Sequence, residues 1–234
     1  MYLAEVFRRV EKKYIMTRDQ YLAIKEMISE KMIEDSHGKS TICNLYFDTN
    51  EYELIRHSIT KPIYKDKVRL RSYNLPTLDS NVYLEIKRKY EGVVSKRRIE
   101  MTLNDYYNFE EVNDLCENKQ ILNELNYYFQ FYKLNATMFL SYFRRAFYAK
   151  DNMGFRVTFD SNIIARNYDL KIENGIYGDY ILDKDKYIME IKILDAIPLW
   201  FVKILDQFNI SPCGFSKYGE AYTKLILKEN KVMI

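Results

Sequence analysis

The stretch that decides the fold is KDKVRLRSYNLPTLDSNVYLEIKRKYEGVVSKRRIEMT, residues 65–102. Charged and apolar residues alternate in three runs of this stretch, at 65–73, 82–90 and 94–102. Alternation with a period of two is typical of β-strands, whose successive side chains point to opposite faces. The breaks between the runs contain Pro76 and Gly92, which favour turns between antiparallel strands. The stretch therefore predicts three consecutive strands that form a meander.

The same alternation recurs in other parts of the chain. Charged residues two positions apart occur in Arg9-x-Glu11-x-Lys13, around Arg144, in Arg156-x-Thr158-x-Asp160 and in Glu190-Ile-Lys192. The apolar residues between the charges should point to the opposite face: Val68, Leu70, Leu84, Ile86, Val157, Phe159, Met189, Ile191 and Ile193. A single charged pair of this kind is more often a solvated strand face. The mostly cationic character of so many strands instead favours a face that lines a cavity and holds a polyanion.

The composition limits the possible functions. The chain has 234 residues, 47% of them hydrophobic, and a net charge of only +3, so the whole protein is not a general nucleic-acid or membrane-surface cation. The three cysteines are widely spaced and form no C-x-x-C pair, which indicates a reducing compartment, and we expect the cytoplasm. No apolar run approaches the roughly 20 residues of a spanning helix, so we expect no membrane insertion.

The remaining patterns complete a predicted α+β fold. Further strands are expected at 5–15, 41–48, 137–149, 155–166, 179–183 and 186–194. Helices are expected from Thr17 to about Glu34, closed by Ser36-His37-Gly38, over 50–58, in an insertion at about 104–133, and in a C-terminal section at about 199–228. About eight antiparallel strands are enough to close a β-barrel around one elongated ligand. We therefore expect a single domain, residues 1–234, built as a closed barrel with peripheral helices and a C-terminal helix.

Eight segments of the chain together resemble one protein family. They occur in the family's order and with similar spacing: FRRVEKKY, VRLRSY, VYLEIKRK, VVSKRRI, SYFRRAF, FRVTFD, IMEIK and FSKYGEAY. The chain resembles, from Phe7 to Tyr222, the polyphosphate polymerase domain of the vacuolar transporter chaperone proteins, within the triphosphate tunnel metalloenzyme superfamily. The resemblance implies a tunnel barrel that transfers the terminal phosphate of ATP to a growing inorganic polyphosphate, with Mn²⁺ or Mg²⁺ as cofactor.

The resemblance also implies roles for individual residues. Those implied to act directly in phosphate transfer are Lys13, Arg69, Arg71, Lys87, Arg144, Arg156, Lys192 and Lys217. Those implied to bind phosphate beside them are Lys96, Arg98, Tyr142 and Ser216. Glu190 is implied to bind the metal, with Glu11 as a second carboxylate. ATP and polyphosphate are thus the expected partners, and nucleic acid is not.

Two positions depart from the family's pattern. Arg9 stands where hydrolytic relatives carry the first carboxylate of an E-x-E-x-K strand, which favours fewer metals and a more cationic tunnel. Gly214 stands where the fungal catalytic subunits place a lysine, so one phosphate contact is in question. Glu85 and Asp160 share a face with the cations, and a structural role in pairing them is favoured over metal binding.

Two other functions stay open at this point. One is a tripolyphosphate or thiamine triphosphate hydrolase, in which water replaces polyphosphate as the acceptor; the loss of a carboxylate at Arg9 counts against it. The other is a non-catalytic module that binds polyphosphate or a nucleotide. The presence of Glu190 beside Lys192 favours a metal, and so favours catalysis.

Overall fold

The computed structural model describes residues 10–91, 93–108, 118–194 and 196–228. Its strands are β1 (Val10–Thr17), β2 (Met32–Asp48), β3 (Tyr64–Tyr73), β4 (Asn81–Tyr90), β5 (Val93–Thr102), β6 (Asn135–Ala149), β7 (Arg156–Arg166), β8 (Asp179–Tyr180) and β9 (Lys186–Ile193). Its helices are α1 (Arg18–Ile28), α2 (Glu53–Ile59), α3 (Leu103–Tyr107), α4 (Lys119–Tyr132), α5 (Leu199–Gln207) and α6 (Lys217–Tyr222), which a π-helical turn, Thr223–Leu227, follows. The α+β class is confirmed.

The strands pair in the order β1-β9-β7-β6-β2-β3-β4-β5, and β8 pairs with β7. The neighbours β3, β4 and β5 form the predicted antiparallel meander. Over the described residues this path ends at β1 and at β5, so the sheet is not closed and the prediction of a closed barrel is wrong. The number of strands does not fix closure, because a barrel also requires its two edge strands to pair with a defined stagger and tilt.

The chain divides into two compact units, each assembled from separate segments. Within the described residues, the first unit comprises 10–40, Tyr142–Ile163 and Leu182–Ser216. The second comprises Thr41–Ser141, Ile164–Ile181 and 217–228. Strands β2, β6 and β7 each contribute residues to both units.

The first unit has a core between its strands and the helices α1 and α5. Helix α1 begins with a capping box, in which Thr17 and Gln20 satisfy each other's backbone N–H groups. Its buried residues Tyr21, Ile24 and Ile28 pack in one cluster with strand residues. The strand residues in that cluster include Val157, Phe159, Met189, Ile191 and Ile193. The predicted apolar face of β7 and β9 is therefore confirmed.

The second unit has its own core, in which Val68, Leu70, Leu84 and Ile86 pack with residues of α4. The predicted apolar face of β3 and β4 is confirmed as well.

A fully buried arginine, Arg166, organises the loop after β7 in this unit. It donates hydrogen bonds to four carbonyl oxygens, those of Asp169 (3.1 Å), Lys171 (3.2 Å), Gly175 (3.0 Å) and Tyr177 (3.1 Å). Its guanidinium also lies 3.8 Å from the centre of the Phe139 ring. One side chain thus satisfies much of the loop's backbone.

The boundary between α1 and β2 differs from the prediction. Helix α1 ends at Ile28, and β2 already begins at Met32, so the predicted helix to Glu34 is six residues too long. Gly38 lies inside the strand and does not end a helix. A Cβ atom there would lie 2.6 Å from the carbonyl oxygen of Asp35 and 3.0 Å from that of Ala146, so the close backbone approach explains this glycine.

The other predicted elements agree with the structure within a few residues. The insertion at 104–133 contains α3 and α4, while residues 109–117 lie outside the described part, as do residues 5–9 of the first predicted strand. The C-terminal section contains α5, α6 and the π-helical turn. None of the helices in the described ranges combines the length and apolar character that crossing a membrane requires.

Candidate functional site

The ionic face of β3, β4 and β5 in the second unit is organised in rows across the strands. Arg69 lies opposite Glu85, which in turn lies opposite Arg98. The next row along the strands consists of three lysines, Lys67, Lys87 and Lys96. Residues that lie directly opposite each other share a face, so the cations predicted from the alternating pattern are neighbours in this sheet.

Glu85 is the centre of this face. Its Oε2 accepts a hydrogen bond from Nε of Arg69 at 2.8 Å and lies 2.7 Å from Nη2 of the same guanidinium. Its Oε1 accepts a hydrogen bond from Nζ of Lys96 at 3.0 Å. Nε of Arg71 lies 3.9 Å from the same carboxylate. The Glu85 side chain is 0% exposed. Burial alone would raise its pKa, but Arg69, Arg71 and Lys96 outweigh burial and lower the pKa to about 2.

Neutral partners orient the two arginines of β3. Asn44 on β2 accepts a hydrogen bond from Nε of Arg71 at 3.0 Å and donates its own amide to the carbonyl of Leu140 at 3.1 Å. The hydroxyl of Tyr46 accepts from Nη1 of Arg69 at 3.3 Å. Since these partners are uncharged, they fix the direction of each guanidinium without cancelling its charge.

Tyr46 also connects this face to the start of α6. Its ring stacks on the ring of Tyr218 with centroids 4.3 Å apart. The Tyr218 hydroxyl donates to Oδ2 of Asp48 at 3.0 Å, and Asp48 itself accepts from backbone N–H groups of α2. Lys217 precedes Tyr218 directly, so this buried network holds the lysine's backbone in place.

The ionic face of the first unit contains both predicted metal ligands. Glu11 lies opposite Lys192, and Lys13 lies opposite Glu190, so the two carboxylates occupy diagonal positions on one face of β1 and β9. Diagonal residues are typically about 7–8 Å apart. Nζ of Lys192 lies 3.0 Å from Oε1 of Glu190. Nζ of Lys13 donates to the carbonyl oxygen of Phe215 at 2.9 Å, next to Ser216.

The arginines of β6 and β7 in this unit each have an acidic partner. Arg144 forms a fork with Asp160, with N–O distances of 2.7 and 2.8 Å, and lies 5.1 Å from the centre of the Tyr142 ring. Burial opposes the charge of Arg144, yet Asp160 raises the pKa of its guanidinium well above the ordinary value. Nη2 of Arg156 donates to Asp35 at 2.5 Å. Asp160 therefore has the pairing role that the sequence favours for it.

The carboxylates of the first unit fit a divalent ion only in combination with a phosphate ligand. Among the described residues, no group of three or more His, Cys, Asp or Glu side chains is arranged to hold a metal. Mg²⁺ commonly binds through one or two carboxylates and completes its coordination with substrate phosphates and water. Glu190, with Glu11 on the same face, matches that pattern.

The structure distributes the predicted site residues over the two units. The first unit contains Glu11, Lys13, Tyr142, Arg144, Arg156, Glu190, Lys192 and Ser216. The second contains Arg69, Arg71, Lys87, Lys96, Arg98 and Lys217. In the second unit Arg98 lies over the Tyr83 ring, with 4.5 Å from its guanidinium carbon to the ring centre. The roles of all these residues remain predictions.

Sequence reasoning missed the residues that orient the cations. Asn44 and Tyr46 interrupt the apolar strand TICNLYF, and a buried amide in such a strand indicates a polar partner. No comparable signal marks Tyr218, because the many tyrosines of this chain are explained equally well by strand propensity.

The fold and these faces define an α+β protein whose antiparallel sheet carries ordered rows of arginine and lysine. The model of one family, the VTC domain, matches residues 8–226. The chain belongs to the VTC domain family. This confirms the resemblance described above.

Solved structures share the fold at low sequence identity. A candidate adenylate cyclase from Bacillus halodurans is 11% identical, with a TM-score of 0.53 over 89% of this chain and 95% of the other. A candidate adenylate cyclase from Vibrio parahaemolyticus is 13% identical, with a TM-score of 0.51 over 91% of this chain and 97% of the other. At this identity the likeness concerns the fold alone. No curated protein sequence matches the chain.

Proposed function

We propose that this protein is a polyphosphate polymerase that transfers the terminal phosphate of ATP to a growing inorganic polyphosphate chain. Membership of the VTC domain family supports the substrate class. The observation that carries the proposal is the convergence of Arg69, Arg71 and Lys96 on Glu85. Three cations around one carboxylate carry a net charge of plus two among these four groups, which suits a polyanionic ligand.

The chemistry requires positioning and charge stabilisation more than a nucleophilic side chain. Phosphoryl transfer spreads negative charge over the equatorial oxygens, which fixed arginines and lysines stabilise. Arg69 and Arg71 bind phosphate in the second unit, and Arg144 and Arg156 bind it in the first. Lys192 and Lys217 offset the charge of donor and product. The attacking oxygen of polyphosphate is already an anion, so no general base is needed.

A divalent ion, Mn²⁺ or Mg²⁺, would be held by Glu190 with Glu11, and it would supply Lewis-acid stabilisation of phosphate oxygens. Lys192 orients the Glu190 carboxylate through its 3.0 Å contact. The arginines and lysines of each unit would bind and align phosphate groups of the substrates.

The deciding assay incubates purified protein with ATP and Mn²⁺, with and without a short polyphosphate primer, and resolves ADP, free phosphate and long-chain polyphosphate. ADP together with polyphosphate and little free phosphate supports the polymerase. Free phosphate from tripolyphosphate without chain growth supports hydrolysis. Tight anion binding with no turnover supports a binding module.

A matched pair of variants on β5 tests the ionic face itself. Arg98→Ala removes a cation from the face that carries Glu85, whereas Arg97→Ala removes one from the opposite face, where Arg97 pairs with Glu124 at 2.7 Å. We expect Arg98→Ala to lower the transfer rate and Arg97→Ala to leave it close to that of the wild type. An equal loss of transfer rate in both variants would show that the face of the sheet on which the cation lies does not matter for activity. Arg71→Ala should abolish transfer.

Hydrolysis of tripolyphosphate is the second candidate function. It is favoured by the position of Glu11 and Glu190 on one face of β1 and β9, since two carboxylates can hold a metal that activates water. Glu11→Gln separates the two functions. A hydrolase, which needs both carboxylates to activate water on the metal, should lose its activity. A polymerase needs no activated water, so it should keep measurable chain growth with the ion held by Glu190 and the substrate phosphates.

We propose a cytoplasmic location for the protein. In the described part of the chain, Cys43 and Cys213 are both free, and Cys43 is buried. Burial raises the pKa of the Cys43 thiol to about 12, so it is a small apolar core group and not a nucleophile.

A further inference from the structure

Strand β7 presents two buried polar atoms that have no hydrogen-bond partner among the described residues. They are Oγ1 of Thr158 and Nε of Arg156. Thr158 is only 2% exposed, so bulk water does not satisfy its hydroxyl. Buried polar groups without a partner are rare and each costs folding free energy. Two of them two residues apart on one strand therefore indicate a ligand that completes their hydrogen bonding.

Their surroundings show that these atoms belong to the ionic face and not to the core. Thr158 lies opposite Glu190 on β9, and Arg156 lies opposite Lys192. The alternating residues Val157 and Phe159 are the ones that pack in the core of the first unit.

Another unpartnered buried hydroxyl, that of Ser72 in the second unit, has different surroundings. Ser72 lies opposite Cys43 and Val82, and both of these belong to an apolar cluster. No charged group lies opposite Ser72 on either neighbouring strand, so its hydroxyl gives no indication of a ligand. A variant of Ser72 is therefore a matched control for a variant of Thr158.

The chemistry of the two atoms of β7 selects the kind of ligand. Nε of arginine is a hydrogen-bond donor only, and a threonine hydroxyl can donate as well. A ligand that satisfies both must supply acceptor oxygens, which a phosphate chain does and a metal cation does not. Nη2 of Arg156 is already held by Asp35 at 2.5 Å, so the direction of its Nε is fixed before a ligand arrives.

We propose that Thr158 is a further phosphate-binding residue, whose hydroxyl donates to the same phosphate chain that accepts a hydrogen bond from Nε of Arg156. This inference rests on the proposed binding of polyphosphate and adds to it a neutral contact. A neutral hydroxyl adds no charge attraction but requires a phosphate oxygen at one defined position. Thr158 therefore fixes where the phosphate chain sits beside the carboxylate of Glu190.

The test measures the binding of inorganic tripolyphosphate by calorimetry at one fixed salt concentration. Thr158→Val keeps the shape of the side chain and removes the hydroxyl, and Thr158→Ser keeps the hydroxyl. Hydrogen bonds to charged groups contribute about 1.5–3 kcal/mol, so we expect Thr158→Val to weaken binding about tenfold or more. Thr158→Ser and Ser72→Ala should bind like the wild type.

A second measurement separates this role from a structural one. The hydroxyl has no partner without the ligand, so Thr158→Val should leave the midpoint of urea unfolding of the free protein unchanged or raised. A lowered midpoint would show that the hydroxyl stabilises the free fold, and it would overturn the proposal. Wild-type affinity in Thr158→Val would also overturn it while leaving the proposed function intact. A wild-type protein that fails to bind tripolyphosphate would overturn both.

Discussion

Replacing Glu85 by glutamine removes the negative charge on which three cations converge. The carboxylate is fully buried and contacts Arg69 at 2.7 Å and Lys96 at 3.0 Å. Glutamine has nearly the same shape, so the change leaves packing intact and deletes the charge. The remaining cations then face one another without this counter-charge, and we expect the free protein to lose stability.

The size of the loss follows from the pKa of Glu85. The pKa falls from an ordinary 4.5 to about 2 in the folded protein. Each pKa unit corresponds to about 1.4 kcal/mol, so the ionised carboxylate stabilises the fold by about 3 kcal/mol. Removing one partner of a buried ion pair typically costs about 3–5 kcal/mol, which agrees. Because the folded pKa is lowered, this stability is present above about pH 4.5 and is lost as the pH falls through about 2.

Urea unfolding at low salt, at pH 7 and at several acidic values, measures this contribution. The control is Glu100→Gln on the neighbouring strand β5, where the exposed carboxylate accepts a hydrogen bond from Asn81 at 2.9 Å. Glu100→Gln should change the free energy of unfolding by less than about 1 kcal/mol. Saturating tripolyphosphate should reduce the loss in Glu85→Gln, because the bound anion restores negative charge beside Arg69 and Lys96.

Two results would refute this reasoning. Equal stability of Glu85→Gln and the wild type at pH 7 would show that the cations do not need the carboxylate. A stability difference that persists undiminished at the lowest pH would show that the effect comes from packing and not from charge.

Three further variants test other buried contacts. Tyr218→Phe keeps the aromatic ring but leaves Asp48 without one hydrogen-bond donor. We expect this change to lower the free energy of unfolding, measured by urea titration, by about 1–3 kcal/mol. Arg144→Lys keeps the charge but cannot form the fork with Asp160, and we expect a loss of about 2 kcal/mol by the same measurement. Arg166→Met removes the donor to four loop carbonyls, and hydrogen exchange should show faster exchange over residues 167–178.

Each of these expectations can fail in a specific way. Unchanged stability in Tyr218→Phe would mean that water replaces the lost donor, and Tyr127→Phe on the exposed side of α4 is the matched control. Wild-type stability of Arg144→Lys would show that charge alone suffices at this position. Unchanged exchange in Arg166→Met would show that the loop is ordered by other contacts.

The sequence predicted the strands well because their signal is local. The alternating pattern from Val68 to Ile99 depends only on which face of the sheet is apolar, and every apolar residue that it names on β3 and β4 is buried. The predicted strand at 41–48 begins nine residues later than β2, which starts at Met32, because the local sequence around Gly38 is typical of the end of a helix. Gly38 is explained by the close approach of the carbonyl oxygens of Asp35 and Ala146, and Ala146 is remote in sequence.

The candidate site was predictable in residue type but not in arrangement. Spacing alone places Arg69, Glu85 and Lys96 on one face, and the register places them in adjacent rows. The roles of Asn44 and Thr158 depend on hydrogen bonds that form, or fail to form, between strands. Closure of the sheet depends on how its edge strands meet, which no local pattern encodes.

The assembly of each compact unit from three separate chain segments bears on how the protein is synthesised. The first unit includes both 10–40 and Leu182–Ser216, and the second needs 217–228 in addition to Thr41–Ser141. The first unit can therefore be complete only after Ser216 has left the ribosome, and the second only after residues 217–228 have done so. Folding must wait for contacts between distant segments, which slows it and leaves strand edges exposed. Neither unit corresponds to one uninterrupted stretch of sequence, so truncation before Leu182 would leave both units incomplete.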